Sequence, residues 1–336
     1  MNIFFAATLS LLPSRLKLPL LRLMGMKIGT KVKIGFGTLL MCPEVVIEDG
    51  AYVGHFCILR AKSLRLGKRA KIHNMVRVNA FSVVMKSQST IYSQNQIAGD
   101  CEDKRSTIHL GVASSILQHC YVNLARPVYL GRNVGVGGGS YLFTHGLWLS
   151  KLDGFPVAYG EITVEDDVWL PWGCFVMPGI TIGTRSIVGA CSVITKNIPP
   201  GVLVAGVPAK IIREKSTIDL NSDERAKILM DISESLAAKN GAVVRIECSL
   251  QRDLHYIDER LVLVLHKNFG AVFTDDSALN VVFDVLDHDQ ASRMPAWSLK
   301  DYTSSPHKLF SPSILDWMSQ AAAVGARFYP IDEDYS

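Results

Sequence analysis

The most regular pattern in the sequence is an aliphatic residue that returns about every six positions between Val164 and Ile194. The repeated positions are Val164, Leu170, Val176, Ile182, Val188 and Ile194. A small or turn-forming residue, Gly, Ala, Asp or Pro, usually follows close behind. A period of six is neither the period of two of a β-strand nor the 3.6 of an α-helix. It is typical of a β-helix, in which short parallel strands form three faces per coil and every sixth side chain stacks inward.

The same hexads occur earlier in the chain, in two blocks. The first block contains "IGTKVKIGFGTL", "IEDGAYVGHFCI" and "LGKRAKIHNMVRVNA", and the second contains "LGVASSILQHCYVNLARP" and "LGRNVGVGGGSYLFTHG". They predict an all-β solenoid, a left-handed parallel β-helix, over residues 28–214. Two aperiodic stretches, 82–107 and 145–161, interrupt the repeat and are expected to be loops. We expect the second loop to reach over a neighbouring subunit.

Both ends of the chain differ from the solenoid. Residues 1–27 form an amphipathic segment in which "MNIFFAATLSLLP" is too short to cross a bilayer. It fits a helix lying on anionic lipid and equally a helix capping the next domain. Residues 215–336 predict a small α+β domain of unknown role. Its expected helices are residues 222–241 and 311–328, and its strand-like runs are 242–250, 260–267 and 279–287.

Charge and cysteine content narrow the possible partners. The net charge is only +4, but residues 1–80 contain thirteen Lys or Arg and three acidic residues, which gives +10 there and −6 elsewhere. Such a basic region fits a membrane surface or a phosphate-bearing ligand, and equally a solvated basic face. The seven cysteines lack a CxxC pair, which indicates reduced thiols in a cytosolic protein. No motif that reads nucleic acid is present.

Residues 110–213 resemble the hexapeptide-repeat acyltransferases, in the branch of maltose, galactoside and xenobiotic acetyltransferases and bacterial polysaccharide O-acetyltransferases. The resemblance rests on "VEDDVWLPWGCFVMPGITIGTRSIVGACSVITKNIPPGVLVAGVPAKIIR". It implies acetyl-CoA as co-substrate, direct transfer with a histidine base, and a homotrimer with sites between adjacent prisms.

The function expected from this resemblance is O-acetylation of a sugar hydroxyl in a bacterial cell-surface polysaccharide or its precursor. The enzyme would be cytoplasmic, or peripheral on the inner face of the membrane. N-acetylation of an amino-sugar nucleotide, an antibiotic as acceptor, and a non-catalytic scaffold remain alternatives. A zinc hydratase on the same solenoid needs three convergent histidines, and none follows His145 at short spacing, so no metal is expected.

Transfer from a thioester needs one general base with a pKa near neutrality, which histidine supplies. His145, in "YLFTHG", matches the position of the family's base. Asn123 resembles an asparagine that faces this base and holds the acceptor. His55, His73, His109 and His119 fall within or beside hexads, and we interpret them as residues of the coil surface, with His119 close enough to line the same cleft.

The resemblance also implies a coenzyme site. It places Trp169 beside the thioester, Ala190 and Ser192 along the pantetheine arm, Thr195 and Lys196 further out, and Lys210 and Arg213 at the phosphates. The sequence departs from the family at "WLPWG", where Pro171 and Trp172 replace small residues. Trp172 would narrow the coenzyme channel, stack on the ligand or pack against the C-terminal domain. Cys191 is expected at a corner, in a structural role.

Overall fold

The computed structural model describes residues 3–146 and 149–218, and five strands between residues 245 and 283. The chain divides into two compact units, Met1–Thr217 and Ile218–Ser336. Among the described residues, no helix is long and apolar enough to span a lipid bilayer.

The first unit begins with two short helices, α1 (Ile3–Ser10) and α2 (Ser14–Leu23). They pack on the first strands of the solenoid, where Leu9 and Leu21 join its hydrophobic core. Lys17 also faces inward, and its Nζ donates to the carbonyl oxygens of Gly35 at 2.7 Å and Ser10 at 3.3 Å. The helices therefore cap the first coil, which is one of the two interpretations left open by the sequence.

The solenoid has about nine coils of three faces each. The first face contains β1 (Lys27–Ile28), β4 (Glu44–Ile47), β11 (Thr107–Leu110), β14 (Val128–Leu130), β19 (Ile162–Val164) and β22 (Thr181–Ile182). The second face contains β2 (Lys33–Ile34), β5 (Tyr52–Val53), β7 (Lys71–Ile72), β9 (Thr90–Ile91), β12 (Ser115–Ile116), β15 (Gly135–Val136), β20 (Trp169–Leu170), β23 (Ile187–Val188) and β25 (Leu203–Gly206).

The third face contains β3 (Leu39–Met41), β10 (Gln96–Ala98), β13 (Tyr121–Asn123), β16 (Tyr141–Leu142), β21 (Phe175–Val176) and β24 (Val193–Ile194). Two longer strands, β6 (Ile58–Leu66) and β8 (Arg77–Met85), turn the corner between the third face of one coil and the first face of the next. Strands on one face pair in parallel, and only β26 (Ala209–Arg213) of the described solenoid strands runs antiparallel, to β25.

The inward positions of the hexads form one continuous core. All six aliphatic residues from Val164 to Ile194 are buried, and each stacks on its counterpart in the neighbouring coil. Residues in the left-handed conformation turn the corners, among them Asn133, Asp167 and Cys191 with φ between 55° and 59°. The predicted fold class, a solenoid of the left-handed parallel β-helix type, is confirmed.

The loop predicted at 82–107 is much shorter than expected. Strands β9 and β10 lie within this range, and the chain leaves the coil only at residues 99–106. The sequence looked aperiodic because polar side chains occupy inner corner positions. Asn95, for example, is buried, donates to the carbonyl oxygen of Tyr92 and accepts from the amide of Cys120. Its side chain satisfies backbone groups that the turn leaves open.

The second predicted loop, 145–161, does leave the solenoid. It begins with β17 (His145–Gly146), which pairs antiparallel with β18 (Ala158–Tyr159), and contains a 3₁₀ turn at Lys151–Asp153. The chain then resumes the coil at β19, in parallel register with β14. Residues 147 and 148 lie outside the described part.

The second unit contains a five-stranded antiparallel sheet of consecutive hairpins. Its strands are β27 (Arg245–Ser249), β28 (Arg252–Ile257), β29 (Leu261–His266), β30 (Gly270–Asp275) and β31 (Leu279–Phe283). Three of them fall in the predicted strand-like runs, whereas β28 and β30 were not predicted. The helices expected at 222–241 and 311–328 lie outside the described residues.

Candidate active site

The site is built around His145 and Asn123, which lie on adjacent coils. Strands β13 and β16 pair in parallel with Val122 opposite Leu142, so the residues that follow each strand meet at the same corner. There the Nδ1 atom of His145 lies 2.7 Å from Oδ1 of Asn123. Asn123 is buried and His145 is half-buried, so the imidazole lies at the surface on a fixed support.

The hydrogen bonds of Asn123 determine the proton position on His145. Its Oδ1 accepts from the backbone N–H of Ala125 at 3.2 Å and from the hydroxyl of Thr144 at 2.8 Å. Because a backbone N–H only donates, the atom facing it is the amide oxygen. In the neutral imidazole, the Nδ1 atom of His145 therefore carries the proton and Nε2 keeps its lone pair. Asn123 thus faces the base, as the resemblance implies, and its Oδ1 orients the imidazole; a contact of its amide with the acceptor stays a prediction.

Tyr159 packs against the ring of His145, and Arg126 packs against the ring of Tyr159. Tyr159 lies opposite His145 in the β17–β18 pair, with ring centroids 6.0 Å apart and nearly parallel planes. The guanidinium carbon of Arg126 lies 4.5 Å from the centre of the Tyr159 ring, and its Nη1 donates to the carbonyl oxygen of Ala125. This cation–π stack holds the 145–161 loop, the excursion of the chain from the solenoid, next to the imidazole. Neither residue was predicted from the sequence. Tyr159 lies in the 145–161 loop, which no repeat constrains, and Arg126 lies at a corner between β13 and β14.

A polar cavity of about 650 Å³ adjoins this stack. Its walls include Asn123, Arg126 and Tyr159, and the short 99–106 loop adds Asp103 and Arg105. The guanidinium of Arg105 bonds both carboxylate oxygens of Asp103 and lowers the pKa of that carboxyl to about 2. The cavity thus presents polar donors and acceptors next to Asn123 and Tyr159, the two residues that contact the imidazole.

The two tryptophans of "WLPWG" occupy space that glycines in the preceding coil leave open. The ring of Trp169 lies over Gly135 in the preceding coil, and the ring of Trp172 lies over Gly138. A Cβ at either glycine would collide with the ring. Trp172 remains 50% exposed, so one side of its ring faces away from the coil. The "VGVGGGS" segment is therefore matched to both rings.

The other coenzyme candidates fall on two parts of the surface. Thr195 and Lys196 lie at the same corner as His145, because backbone bonds link Phe143 to Val176 and Met177 to Ile194. At about 4.8 Å per strand they are two coils away, roughly 10 Å along the axis. Ala190 is exposed at the Trp172 corner, and Lys210 and Arg213 are exposed on the terminal hairpin.

Ser192, which the resemblance places along the pantetheine arm, turns its side chain inward. The residue is fully buried, and its Oγ accepts a hydrogen bond from the amide of Gly206 at 3.0 Å. The hydroxyl points into the coil and holds the next turn, so it is not available to a ligand on the outside. Only its backbone remains as a candidate contact.

The described cysteines form no disulfide. Burial raises the pKa of Cys42 to about 12 and that of Cys120 and Cys174 to about 11. These thiols stay protonated at neutral pH, which makes them poor nucleophiles. Cys191 is exposed at a corner. Within residues 3–146 and 149–218, no three His, Cys, Asp or Glu side chains come together as a metal site.

Comparisons with known proteins cover mainly the solenoid. The chain is 36% identical over 110 residues to a putative acetyltransferase of Schizosaccharomyces pombe, which is 32% of this chain and 53% of that protein. It is 49% identical over 53 residues to galactoside O-acetyltransferase of Escherichia coli, 16% of this chain and 26% of that protein. The chain thus spans about half or less of the length of these curated relatives.

Among solved structures, a hexapeptide-repeat acetyltransferase of Vibrio cholerae in complex with acetyl coenzyme A is 20% identical, with a TM-score of 0.32. The match covers 63% of this chain and 86% of that one. No family model matches the chain. In repeat pattern, coil geometry and sequence, the β-helix of this chain is thus similar to hexapeptide-repeat acetyltransferases.

Proposed function

We propose that this protein transfers the acetyl group of acetyl-CoA to a sugar hydroxyl of a bacterial cell-surface polysaccharide or its precursor. The observation that carries the proposal is the His145–Asn123 pair, which leaves Nε2 of the neutral imidazole able to accept a proton, with a polar cavity lined by Asn123 and Tyr159 next to the pair. A positioned base of this kind is what direct acyl transfer requires of the protein.

The proposed acetyl transfer proceeds in steps in which His145 and Asn123 have defined roles. Nε2 of His145 takes the proton of the acceptor hydroxyl as its oxygen forms a bond to the thioester carbonyl carbon. The imidazolium that results is stabilised by the Nδ1–H bond to Oδ1 of Asn123. When the C–S bond breaks, the imidazolium returns its proton to the leaving thiolate. The products are the acetyl ester and free CoA, and His145 is neutral again.

The lining of the cavity supports a polyhydroxylated acceptor. Carboxylate, guanidinium, amide and phenol groups line it, with Asp103, Arg105 and Arg126 held by their own contacts. Fixed polar groups of this kind orient hydroxyls by hydrogen bonding. A relative that is 49% identical over its matched segment is named a galactoside O-acetyltransferase, which agrees with a sugar acceptor.

We place acetyl-CoA along the corner that runs from His145 to Thr195 and Lys196. The pantetheine arm would follow this corner, and the exposed Lys210 and Arg213 would bind the phosphates by charge-assisted bonds. Trp172 presents its exposed half to the same end of the solenoid. All of these groups lie on the outer surface of one prism.

A homotrimer would enclose this open site. The excursion after His145 carries exposed apolar side chains, Leu152 and Phe155, which suit burial against an adjacent prism. We therefore propose a trimer in which this excursion covers a neighbouring subunit, in the cytoplasm where the thiols stay reduced. Light scattering of the full chain tests this part; a monomer would contradict it.

The activity is tested by thiol release from acetyl-CoA with a panel of sugars, nucleotide sugars and glycan fragments. We expect acceptor-dependent release that falls about 10²–10⁴-fold in His145→Ala, the usual contribution of a general base. His73→Ala is the matched control, since this histidine is stacked on Tyr92 in another coil. Equal activity of His145→Ala and wild type would refute the assignment. Failure of the folded protein to bind acetyl-CoA would favour a non-catalytic scaffold.

A further inference from the structure

The outer face of helix α2 is apolar and exposed. Leu16, Leu20 and Leu23 follow one another at helical spacing and are 59%, 39% and 84% exposed. Leu11 before the helix and Met24 after it are also exposed, so the apolar surface continues beyond both ends. Contiguous exposed apolar surface on a folded protein marks an interaction site more often than a single exposed leucine does.

The buried side of the helix contains a residue that would be expected outside. Lys17 is only 2% exposed, and the desolvation of its ammonium lowers its pKa. Burying a charged amine is unfavourable even when two carbonyl oxygens accept from it. Yet the chain buries Lys17 and exposes three leucines on the same two turns of helix. The exposure of the three leucines therefore follows from the way the helix packs on the solenoid.

The segment of the sequence that contains this face is basic. Residues 1–43 contain six Lys or Arg and no Asp or Glu. Five of the six are exposed: Arg15, Arg22, Lys27, Lys31 and Lys33. An apolar helix face bordered by exposed basic side chains is the arrangement of helices that lie in the interface of a bilayer with anionic headgroups.

We infer that the outer face of α2 docks onto an anionic lipid surface, with the leucines in the headgroup–acyl boundary and the basic residues on the headgroups. A second copy of the chain is a poorer occupant, because it would bring another acid-free basic segment against this one. The inference concerns a different end of the solenoid from His145 and does not depend on the proposed transferase activity.

The test is sedimentation of the full chain with vesicles of phosphatidylcholine, alone or mixed with phosphatidylglycerol. We expect binding to the mixed vesicles and little binding to phosphatidylcholine alone. Arg15→Gln/Lys27→Gln should weaken binding by about thirtyfold, about fivefold for each charge. The triple variant Leu16→Gln/Leu20→Gln/Leu23→Gln should weaken it at least about tenfold.

Matched controls change similar groups elsewhere. Lys104→Gln/Arg185→Gln removes two exposed charges, and Ile212→Gln removes an exposed apolar side chain, so both should bind as wild type does. Circular dichroism shows whether each variant folds; if the leucine variant does not, the charge variant still decides. Absence of binding to anionic vesicles would overturn the inference. So would equal binding of wild type and charge variant, or a leucine variant that changes only the oligomeric state.

Discussion

Replacement of Asn123 by alanine tests how the imidazole of His145 is oriented. The substitution removes the oxygen that lies 2.7 Å from Nδ1 and also accepts from Ala125 and Thr144. In the transition state that oxygen faces an imidazolium. A hydrogen bond to a charged group contributes about 1.5–3 kcal/mol, so kcat/KM should fall about 10- to 100-fold. The backbone N–H of Ala125 also loses its acceptor, which costs about 1–3 kcal/mol of folding stability.

The variant Asn123→Asp separates orientation from charge. A carboxylate accepts the same hydrogen bonds but also attracts the imidazolium, and so favours the charged form of the ring relative to the amide. The acid limb of the pH–rate profile should therefore move to higher pH, with activity largely retained above it. Alanine gives no such carboxylate, so its loss should persist across the pH range.

The assay is kcat/KM for thiol release as a function of pH, with thermal unfolding followed by circular dichroism. Asn95→Ala is the matched control, since Asn95 is also buried but its hydrogen bonds go to the backbone groups of Tyr92, Ile116 and Cys120 and not to His145. It should lose stability without losing turnover. The reasoning would be refuted if Asn123→Ala turned over as wild type does and the profile of Asn123→Asp did not move.

Three further results are expected. Burial, with a smaller contribution from Lys86, lowers the pKa of His109. Because the folded state thus disfavours its protonation, the melting temperature should fall as the pH is lowered below about 6.5. The fall should be smaller in His109→Gln. Iodoacetamide should alkylate the exposed Cys191 and spare Cys174, whose pKa is about 11, as mass spectrometry of the folded protein would reveal. Trp172→Ala should weaken acetyl-CoA binding about tenfold by calorimetry, from roughly 60 Å² of lost apolar contact, whereas unchanged affinity would remove Trp172 from the site.

The sequence predicted the solenoid well because its inner positions accept few residue types. Val176 and Ile182 had to be aliphatic, since each stacks on a like residue above and below. The 82–107 stretch was misinterpreted for the same reason, because Asn95 satisfies backbone groups at an inner corner where an apolar residue was expected. Polar residues at corners follow the turn geometry and not the hydrophobic period.

The residues of the candidate site also differ in how far the sequence predicted them. Asn123 and His145 belong to coil positions, so the family resemblance was enough to bring them forward as candidates. Tyr159 and Arg126 meet through an excursion whose path no repeat constrains, and no pattern in the sequence indicated their stack on the imidazole. For Ser192 the sequence indicated a coil position along the arm, and the structure adds that its hydroxyl points into the coil.

The return of β19 to the register of β14 bears on how this protein could acquire new acceptors. Tyr129 and Thr163 are neighbours on one face although the whole 145–161 excursion lies between them, just as Thr163 and Thr181 are neighbours with none. The segment between β17 and β18 can therefore be lengthened, shortened or exchanged for that of another protein without shifting any coil, whereas one residue inserted into a hexad would turn the inner side chains of that strand outward. This segment and the scaffold are in this sense separately editable, and grafting it between β17 and β18 offers a route to new specificities that keeps His145 and Tyr159 in place.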